Sequence, residues 1–258
     1  MIYEIRNLTT GYQTRHGIHV VSKNISGRLL PHEFTCLLGP NGAGKSTLLR
    51  TLSSFQPPLE GELILGGHPL GNYSAHDLAM LVGVVLTERT DVRAMRVREL
   101  VSMGRSPYTG FWGALTAEDE EYVEQAMELV GIKDLSRRYV ETLSDGERQK
   151  VMIAKALCQQ TPLIFLDEPT AFLDFPSKVE LMLLLARLAH NLDKTIFLST
   201  HDVEIALQTA DTLWLLGDAG VTIGTPDGLS SHGDLEHYFS GPGIRFNSAA
   251  KRFDILKS

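Results

Sequence analysis

The sequence predicts an α/β fold built on a mainly parallel sheet with helices on both faces. The first observation is a set of short apolar runs, each too continuous for a half-exposed strand, at residues 34–38, 81–86, 163–166, 195–199 and 213–216. The second is helical periodicity between these runs, clearest at residues 177–191, where one face carries Leu181, Leu184, Leu185 and Leu188. Buried strands that alternate with amphipathic helices are typical of a parallel sheet covered on both sides.

The N-terminal part of the chain predicts a different element, a small antiparallel β layer. Short strand-like pieces occur at residues 2–8, 18–21 and 62–65, and the last of them is closed by Gly66 and Gly67. Consecutive glycines of this kind mark turns. We therefore expect a few short antiparallel strands beside the parallel sheet.

Residues from about 88 to 141 lack apolar strand runs and predict an inserted helical subdomain. Breaks rich in glycine and proline separate its helices, at residues 104–107 and 110–113. One helix is predicted at residues 117–130, and Thr116 with Asp119 gives it a capping signal. The face predicted to be buried carries Tyr122, Ala126, Leu129 and Val130. The tail after about residue 230 gives only weak signals.

Length, charge and cysteine usage limit the possible functions. At roughly 150 residues per domain, 258 residues suffice for one large domain or a core with a subdomain. The 24 basic and 31 acidic side chains leave a net charge of −7, which argues against nucleic-acid binding. No apolar run approaches the ~20 residues of a membrane span and no secretory signal is evident, so a cytoplasmic location is expected. Cys36 and Cys158 are too few for a disulfide framework or a zinc site and are predicted to be buried.

A phosphate-binding loop is the strongest motif in the sequence. It matches the pattern G-x-x-x-x-G-K-[ST] directly after one predicted strand and before a helical run, with the residues Gly39, Pro40, Asn41, Gly42, Ala43, Gly44, Lys45, Ser46 and Thr47. The glycines let successive backbone N–H groups and the helix N-terminus face an anion. Lys45 supplies a positive charge to the β- and γ-phosphates, and the Ser46 hydroxyl is a candidate Mg²⁺ ligand.

Three further polar residues follow predicted strands. Asp167 and Glu168 end the run at residues 163–166, and His201 follows the run at 195–199. Ligands collect at the carboxyl ends of the strands in open α/β sheets, so these side chains are expected near the phosphate loop. Asp167 is predicted to hold a metal ion through water, Glu168 to accept a proton from the attacking water, and His201 to contact the γ-phosphate. Together they predict nucleoside-triphosphate hydrolysis.

A second helix N-terminus is predicted at residues 143–149. Ser144 and Glu147 have the spacing of a capping box, a common feature that by itself indicates only the start of a helix.

These motifs, in this order, resemble the nucleotide-binding subunit of an ATP-binding cassette (ABC) transporter over residues 1 to about 229. Residues 39–47 resemble Walker A, 143–147 the LSGGQ signature, 163–168 Walker B and 171–174 the D-loop, which ends at Asp174; His201 resembles the switch histidine. Tyr12 matches the aromatic residue that stacks on adenine in this family. The resemblance implies a P-loop NTPase (RecA-like) core that uses ATP and Mg²⁺.

The resemblance also implies how the chain is divided. We expect a single ABC ATPase domain over residues 1–258. Residues 1–87 and 160–230 would form the nucleotide-binding core with its antiparallel layer, residues 88–159 the helical subdomain with the signature, and residues 231–258 a C-terminal tail.

The family further implies its partners. Two copies would form a head-to-tail homodimer around two ATP molecules, each held between Walker A of one copy and Ser144 and Gly146 of the other. Hydrolysis would open this dimer, and integral-membrane permease subunits would follow the motion. We therefore expect an ATPase on the inner face of the cell membrane, attached through the permease, that serves a substrate-binding protein and binds no nucleic acid.

Within the family, three segments are similar to the ATPases of iron–siderophore, haem and cobalamin importers: residues 103–108, 115–119 and 224–226. Two positions depart from the family pattern. Thr87, followed by Glu88, stands where a metal-reaching glutamine is expected, and we take Glu88 or a water bound to Thr87 as its substitute. Asp145 replaces the first glycine of the signature and adds a negative charge near the opposing γ-phosphate.

Two other kinds of ABC protein share these motifs. A soluble ABC ATPase of iron–sulfur cluster assembly has a similar length and also lacks fused membrane spans, although the segment at residues 104–119 favours transport. ABC proteins of DNA repair or chromosome structure insert coiled coils or zinc motifs between Walker A and the signature, and this chain has neither heptads nor CxxC pairs there.

Overall fold

Strands and helices alternate along most of the chain, as the sequence predicts. The computed structural model describes residues 1–15, 17–86, 94–110, 113–217, 220–241, 243–247 and 251–255. The strands are β1 (Tyr3–Thr14), β2 (Gly17–Leu29), β3 (Phe34–Leu38), β4 (Glu60–Leu65), β5 (His68–Pro69), β6 (Val82–Val85), β7 (Leu163–Asp167), β8 (Thr195–Thr200), β9 (Thr212–Gly217), β10 (Gly220–Gly224), β11 (Ile244–Asn247) and β12 (Arg252–Ile255). The helices are α1 (Lys45–Leu52), α2 (Ala75–Leu81), α3 (Val97–Ser102), α4 (Ala117–Leu129), α5 (Asp145–Cys158), α6 (Phe175–Asn191), α7 (Val203–Thr209), α8 (Pro226–Ser231) and α9 (Asp234–Phe239).

A six-stranded sheet with the order β10-β9-β3-β8-β7-β6 lies at the centre of the structure. All neighbouring strands in it are parallel except β10, which pairs antiparallel with β9. The five apolar runs of the sequence each form one of its parallel strands, so the predicted α/β fold with a parallel sheet is confirmed. Since the carboxyl ends of parallel strands lie at one edge, polar residues that follow β3, β7 and β8 meet there.

The five parallel strands are buried almost throughout, which explains why they are mainly apolar on both faces. On one face, Cys36, Leu166 and Leu198 pack with the apolar sides of the helices that follow α2 in the chain. On the other face, four aromatic rings stand edge to face, with centroids 5.4 to 6.0 Å apart, in the order Tyr3, Phe165, Phe197 and Trp214. Edge-to-face contacts of this kind stabilise a pair of rings by about 0.5–1.5 kcal/mol beyond their buried area.

The predicted antiparallel layer is present, with the strand order β2-β1-β4-β5. Its first two strands are longer than the sequence indicates and form a hairpin in which Thr14 pairs with Gly17. Tyr3 of β1 is buried against the central sheet, and its hydroxyl donates to the carbonyl oxygen of Leu52 at the end of α1. The layer therefore covers the face of the sheet on which α1 lies.

Helices occupy the described parts of the predicted helical segment, namely α3, α4 and α5. Helix α4 begins at the capping box of Thr116 and Asp119, as the sequence predicts. The predicted buried face of α4 is partly wrong, because Leu129 is 43% exposed while Val123 and Met127 are fully buried. The buried face also carries Asp119, and this acid interrupts the apolar period that the sequence offers.

A buried ion pair explains the arginine of the segment at residues 103–108, and a close backbone approach explains its glycine. The Arg105 Nε donates to Asp119 Oδ1 at 2.8 Å, and its guanidinium lies between the rings of Tyr108 and Tyr122. Hydrogen bonds from the Thr116 backbone and hydroxyl, with the bond from Arg105, lower the pKa of Asp119 to about 2. A Cβ on Gly104 would lie 2.3 Å from the carbonyl oxygen of Lys155, so only glycine fits between this turn and α5. The segment joins the first helices of this region to α5.

The C-terminal tail is more regular than its sequence indicates. Helix α9 is followed by a hairpin of β11 and β12, and rings of Phe239, Phe246 and Phe253 pack together there.

Both cysteines are buried and unpaired, as predicted. Among the described residues, no helix has the length and apolar character needed to cross a bilayer.

Candidate active site

The phosphate loop runs from the end of β3 into α1 and leaves the start of that helix open. Gly42 and Gly44 have φ angles of +82° and +96°, in the left-handed region that favours glycine. A Cβ on Gly44 would also lie 2.3 Å from Val21. Because Gly44 is the N-cap and the first turn contains no acid, the N–H groups at the start of α1 are neither capped by a side chain nor faced by a first-turn carboxylate. This is the geometry of an anion-binding helix N-terminus.

Lys45 is almost completely buried beneath this loop. Its Nζ donates to the carbonyl oxygens of Gly39 and Pro40, at 2.9 and 3.3 Å, and lies 3.6 Å from Glu168 Oε1. Burial lowers the pKa of the Lys45 ammonium, although the charge of Glu168 opposes the shift. A bound phosphate would give this ammonium a stronger anionic partner than it has in the chain alone.

Two acids of β7 and the turn after it lie beside the loop. Asp167 Oδ1 accepts hydrogen bonds from Ser46 Oγ at 3.1 Å and from Ser199 Oγ at 2.7 Å. A hydroxyl and a carboxylate side by side are the hard oxygen donors that Mg²⁺ prefers when phosphate oxygens and water complete its coordination. The chemistry of this donor set therefore fits a magnesium ion.

Glu168 and His201 face each other across the same edge of the sheet. The His201 Nε2 lies 2.8 Å from Glu168 Oε1. Burial raises the pKa of the Glu168 carboxyl, although His201 and Lys45 partly oppose that shift. In both groups, burial therefore affects the pKa more than the attraction between Lys45 and Glu168 does. A carboxylate with a raised pKa is a better proton acceptor than an exposed one.

A cavity of about 610 Å³ brings most of the predicted site residues together. Its lining includes Tyr12, Asn41, Gly42, Gly44, Lys45, Ser46, Thr47, Asp167, Glu168 and His201. Tyr12 is half exposed in this lining, with its ring centroid 5.1 Å from that of His19. A cavity that combines an exposed aromatic ring with phosphate-binding groups offers the two kinds of contact that a nucleotide requires.

Sequence reasoning missed several residues of this cavity. His19 lines it because it pairs with Tyr12 across the β1–β2 hairpin, and Arg50 lines it one turn after Ser46 on α1. Sequence reasoning also misses Ser199, which lies behind the lining and hydrogen-bonds to both acids. The helical spacing from Ser46 to Arg50 is visible in the sequence, whereas the strand pairing that brings up His19 and Ser199 is not.

Other predicted residues lie outside this cavity. Gly39 and Pro40 line a neighbouring pocket with His201, and Ala43 packs toward the aromatic face of the sheet. Ser144 and Gly146 line a separate pocket of about 170 Å³ at the start of α5. Asp174 is the N-cap of α6 and accepts from the Ser177 N–H at 3.1 Å. Thr87 and Glu88 lie outside the described residues.

The parallel sheet, the open phosphate loop and the acids at the same edge define a P-loop nucleoside triphosphatase. Comparison with known proteins narrows this class. The ABC transporter family matches residues 22–171 of the chain. An uncharacterized ABC transporter ATP-binding protein of Methanocaldococcus jannaschii is 41% identical over 210 residues, 81% of this chain and 71% of the relative. The ferric enterobactin transport ATP-binding protein FepC of Escherichia coli is 36% identical over 214 residues, 83% and 78% of the two chains.

Solved structures agree with this. The inward-facing conformation of a metal-chelate type ABC transporter superposes with a TM-score of 0.79 at 25% identity, over 98% of this chain and 94% of that chain. A dimeric ATP-binding cassette bound to ADP and Pi superposes with a TM-score of 0.75 at 25% identity, over 88% and 99% of the two chains. The chain belongs to the ABC transporter family. It is an ATP-binding subunit that couples ATP hydrolysis to transport; ATPases of this family dimerise and, in importers, work with permease components.

Proposed function

We propose that this chain powers the import of a ferric siderophore, haem or a cobalamin-type metal chelate through separate permease subunits. One observation supports the roles of the site residues in ATP hydrolysis. The same cavity, at one edge of the sheet, is lined by Lys45, Asp167, Glu168 and His201. The substrate class is supported by the ferric enterobactin and metal-chelate transporters to which the chain is similar. Those relatives favour import over iron–sulfur cluster assembly.

In the proposed reaction, ATP lies along the cavity from Tyr12 to Glu168. The Tyr12 ring stacks on the adenine, and the backbone N–H groups of the loop at residues 39–47 bind the phosphates. Lys45 exchanges its carbonyl partners for the β- and γ-phosphate oxygens. His201 then contacts the γ-phosphate, for which its place beside Glu168 is suited.

Ser46 and Asp167 would hold Mg²⁺, which supplies positive charge to the phosphates when it is bound. Glu168 accepts a proton from the attacking water, and burial favours this because it raises the pKa of the carboxyl. Removal of the proton makes that water a stronger nucleophile toward the γ-phosphate. Glu88, or a water on Thr87, remains the proposed substitute for the missing glutamine.

The second half of each site would come from another copy of the chain. We propose a homodimer in which Ser144 and Gly146 face the ATP held by the partner, with Asp174 at the interface. The pocket that these two signature residues line is separate from the nucleotide cavity, which supports a contribution across an interface. The dimer would sit on the cytoplasmic face of the membrane through its permease and serve a substrate-binding protein.

Reconstitution with a membrane partner tests this function. The full chain is purified with the integral-membrane protein that it binds, the complex is placed in liposomes, and uptake of a ferric siderophore, haem and cobalamin is measured with ATP present. We expect ATP-dependent uptake of one of these chelates. Uptake of none of them, or co-purification with iron–sulfur assembly proteins instead of a permease, would contradict the proposal.

A further inference from the structure

Ser199 lies beside the two acids of the proposed hydrolytic site. It is on β8, directly opposite Asp167 of β7 in the sheet register, and it is fully buried. Its Oγ donates to Asp167 Oδ1 at 2.7 Å and accepts the backbone N–H of Glu168 at 2.9 Å. One hydroxyl therefore contacts the side chain of one acid and the backbone of the next.

The direction of these two hydrogen bonds is fixed by the chemistry of the groups. A backbone N–H can only donate, so the Ser199 oxygen must accept from Glu168. The single proton of the hydroxyl is then left for the Asp167 carboxylate, which can only accept when it is ionised. An apolar side chain at position 199 would remove both contacts at once.

The backbone of Glu168 needs such a contact. Its φ angle of +49° lies in the left-handed region, which a residue with a Cβ seldom adopts. The Glu168 N–H also approaches the carbonyl oxygen of Ser199 at 3.2 Å, and the Glu168 carbonyl accepts from the Ala171 N–H at 3.0 Å. Residues in this region persist where their surroundings hold them, and they occur often at active sites.

We infer that Ser199 is a positioning residue for ATP hydrolysis, which orients Asp167 through its proton and holds the Glu168 turn through its oxygen. It acts through these two acids and does not itself contact nucleotide. The inference rests on the roles in ATP hydrolysis proposed above for Asp167 and Glu168. It predicts separate effects on the catalytic rate, through Glu168, and on metal-assisted nucleotide binding, through Asp167.

The test compares three variants of the full chain. Ser199→Ala removes the hydroxyl and Ser199→Thr keeps it. Ser53→Ala removes a buried serine hydroxyl that, within the described part of the chain, donates to carbonyl oxygens of α1. For each, kcat and KM for ATP are measured, and ATP affinity is determined by calorimetry with Mg²⁺ and with EDTA. We expect Ser199→Ala to lower kcat by about tenfold or more, because small displacements of a catalytic group are costly.

The calorimetry separates positioning from general damage. In Ser199→Ala the gain in ATP affinity on adding Mg²⁺ should shrink, while affinity in EDTA stays near that of the natural chain. Ser199→Thr should restore kcat and the Mg²⁺ effect, and Ser53→Ala should change neither by more than about twofold. Equal losses in the Ala and Thr variants, or a natural kcat in Ser199→Ala, would overturn the inference.

Failure of the proposed function is distinguishable from failure of this inference. If the natural chain hydrolyses no ATP, the proposed function fails, yet the Mg²⁺ effect on ATP affinity still compares the Ser199 variants. If the natural chain is active and Ser199→Ala retains its Mg²⁺ effect and its rate, only the role of Ser199 fails.

Discussion

Helices α1 and α5 each begin beside a pocket, and their N-termini differ in how they are capped. At α1 the N-cap is Gly44, the first turn carries no acid, and its N–H groups face the nucleotide cavity. At α5 the N-cap is Ser144, whose hydroxyl accepts the N–H of Glu147, and the first turn carries Asp145 and Glu147. The Ser144 backbone N–H in turn donates to Glu147 Oε2 at 2.8 Å.

In the proposed dimer, this difference implies that the two helix ends differ in their affinity for phosphate. The end of α1 is left without a side-chain cap or a nearby first-turn acid, so it favours an anion within a single chain. The end of α5 is stabilised by its own side chains, and its two acids repel an anion. A phosphate that approaches α5 must compete with Glu147 for Ser144. In the proposed dimer, α5 would therefore contribute less to ATP affinity than α1.

Replacement of Glu168 should have the largest effect, and it tests the α1 side of the comparison. Glu168→Gln removes the proposed proton acceptor but keeps the size of the side chain. We expect ATPase activity to fall by roughly 10²–10⁴-fold, the contribution of general acid–base catalysis. ATP binding should persist, and an ATP-bound dimer should accumulate in size-exclusion chromatography. Glu62→Gln, an exposed acid on β4, is the control; activity near that of the natural chain in Glu168→Gln would refute the proton-acceptor role.

Loss of the Lys45 charge comes next. Lys45→Ala removes an ammonium whose charged hydrogen bonds to phosphate would each contribute about 1.5–3 kcal/mol, or about 10- to 150-fold in the Kd for ATP. Calorimetry with ATP measures this loss. Lys194→Ala, which removes a partly buried lysine that donates to the carbonyl of Thr161, should leave the Kd unchanged. Tight ATP binding by Lys45→Ala would show that α1 binds phosphate without its lysine.

The α1 side of the site was predictable because its residues follow apolar strands. Lys45, Asp167, Glu168 and His201 each come directly after or soon after such a run, and parallel strands end at one edge. His19 and Ser199 escaped prediction because they join the site through their strand partners, Tyr12 and Asp167 respectively. The register of two strands distant in sequence is set by packing and leaves no periodic signal in either one.

The helical segment shows a second limit. A buried Asp119 makes the true face of α4 look polar, because its partner Arg105 lies in a different element. The sequence therefore predicts that Leu129 is on the buried face, whereas this apolar residue near the end of the helix is exposed. Hydrophobic periodicity thus locates a helix more reliably than its buried side when that side carries an ion pair.

Removal of the α5 cap should have a smaller effect with two separable parts. Ser144→Ala deletes an N-cap, which costs about 0.5–2 kcal/mol in the free energy of unfolding. Ser74→Ala deletes the equivalent cap of α2, in a capping box with Asp77, and gives a matched loss. The midpoint temperature of thermal unfolding should therefore fall by a similar amount in both variants. ATPase activity should fall further in Ser144→Ala than in Ser74→Ala, and equal activities would contradict a role of Ser144 across the dimer.

Neutralisation of the α5 first turn should have the smallest effect, and it goes in the opposite direction. Glu147→Gln keeps an oxygen that can accept the Ser144 N–H, so the capping box is preserved, while one negative charge is removed. A charge at a helix end is worth about 0.3–1 kcal/mol, and the proposed homodimer has two such sites, so the ATP-dependent dimer should bind about 3- to 30-fold more tightly. The effect is best measured by analytical ultracentrifugation in the Glu168→Gln background, where ATP persists.

Asp145→Asn removes the neighbouring charge and should strengthen the same dimer by a similar factor. Salt distinguishes this account from a change in packing, because added salt screens charges near the surface. The gain from either substitution should therefore diminish as ionic strength rises. A gain that is independent of salt, or a weaker dimer in both variants, would mean that the acids of α5 assist the approach of phosphate rather than oppose it.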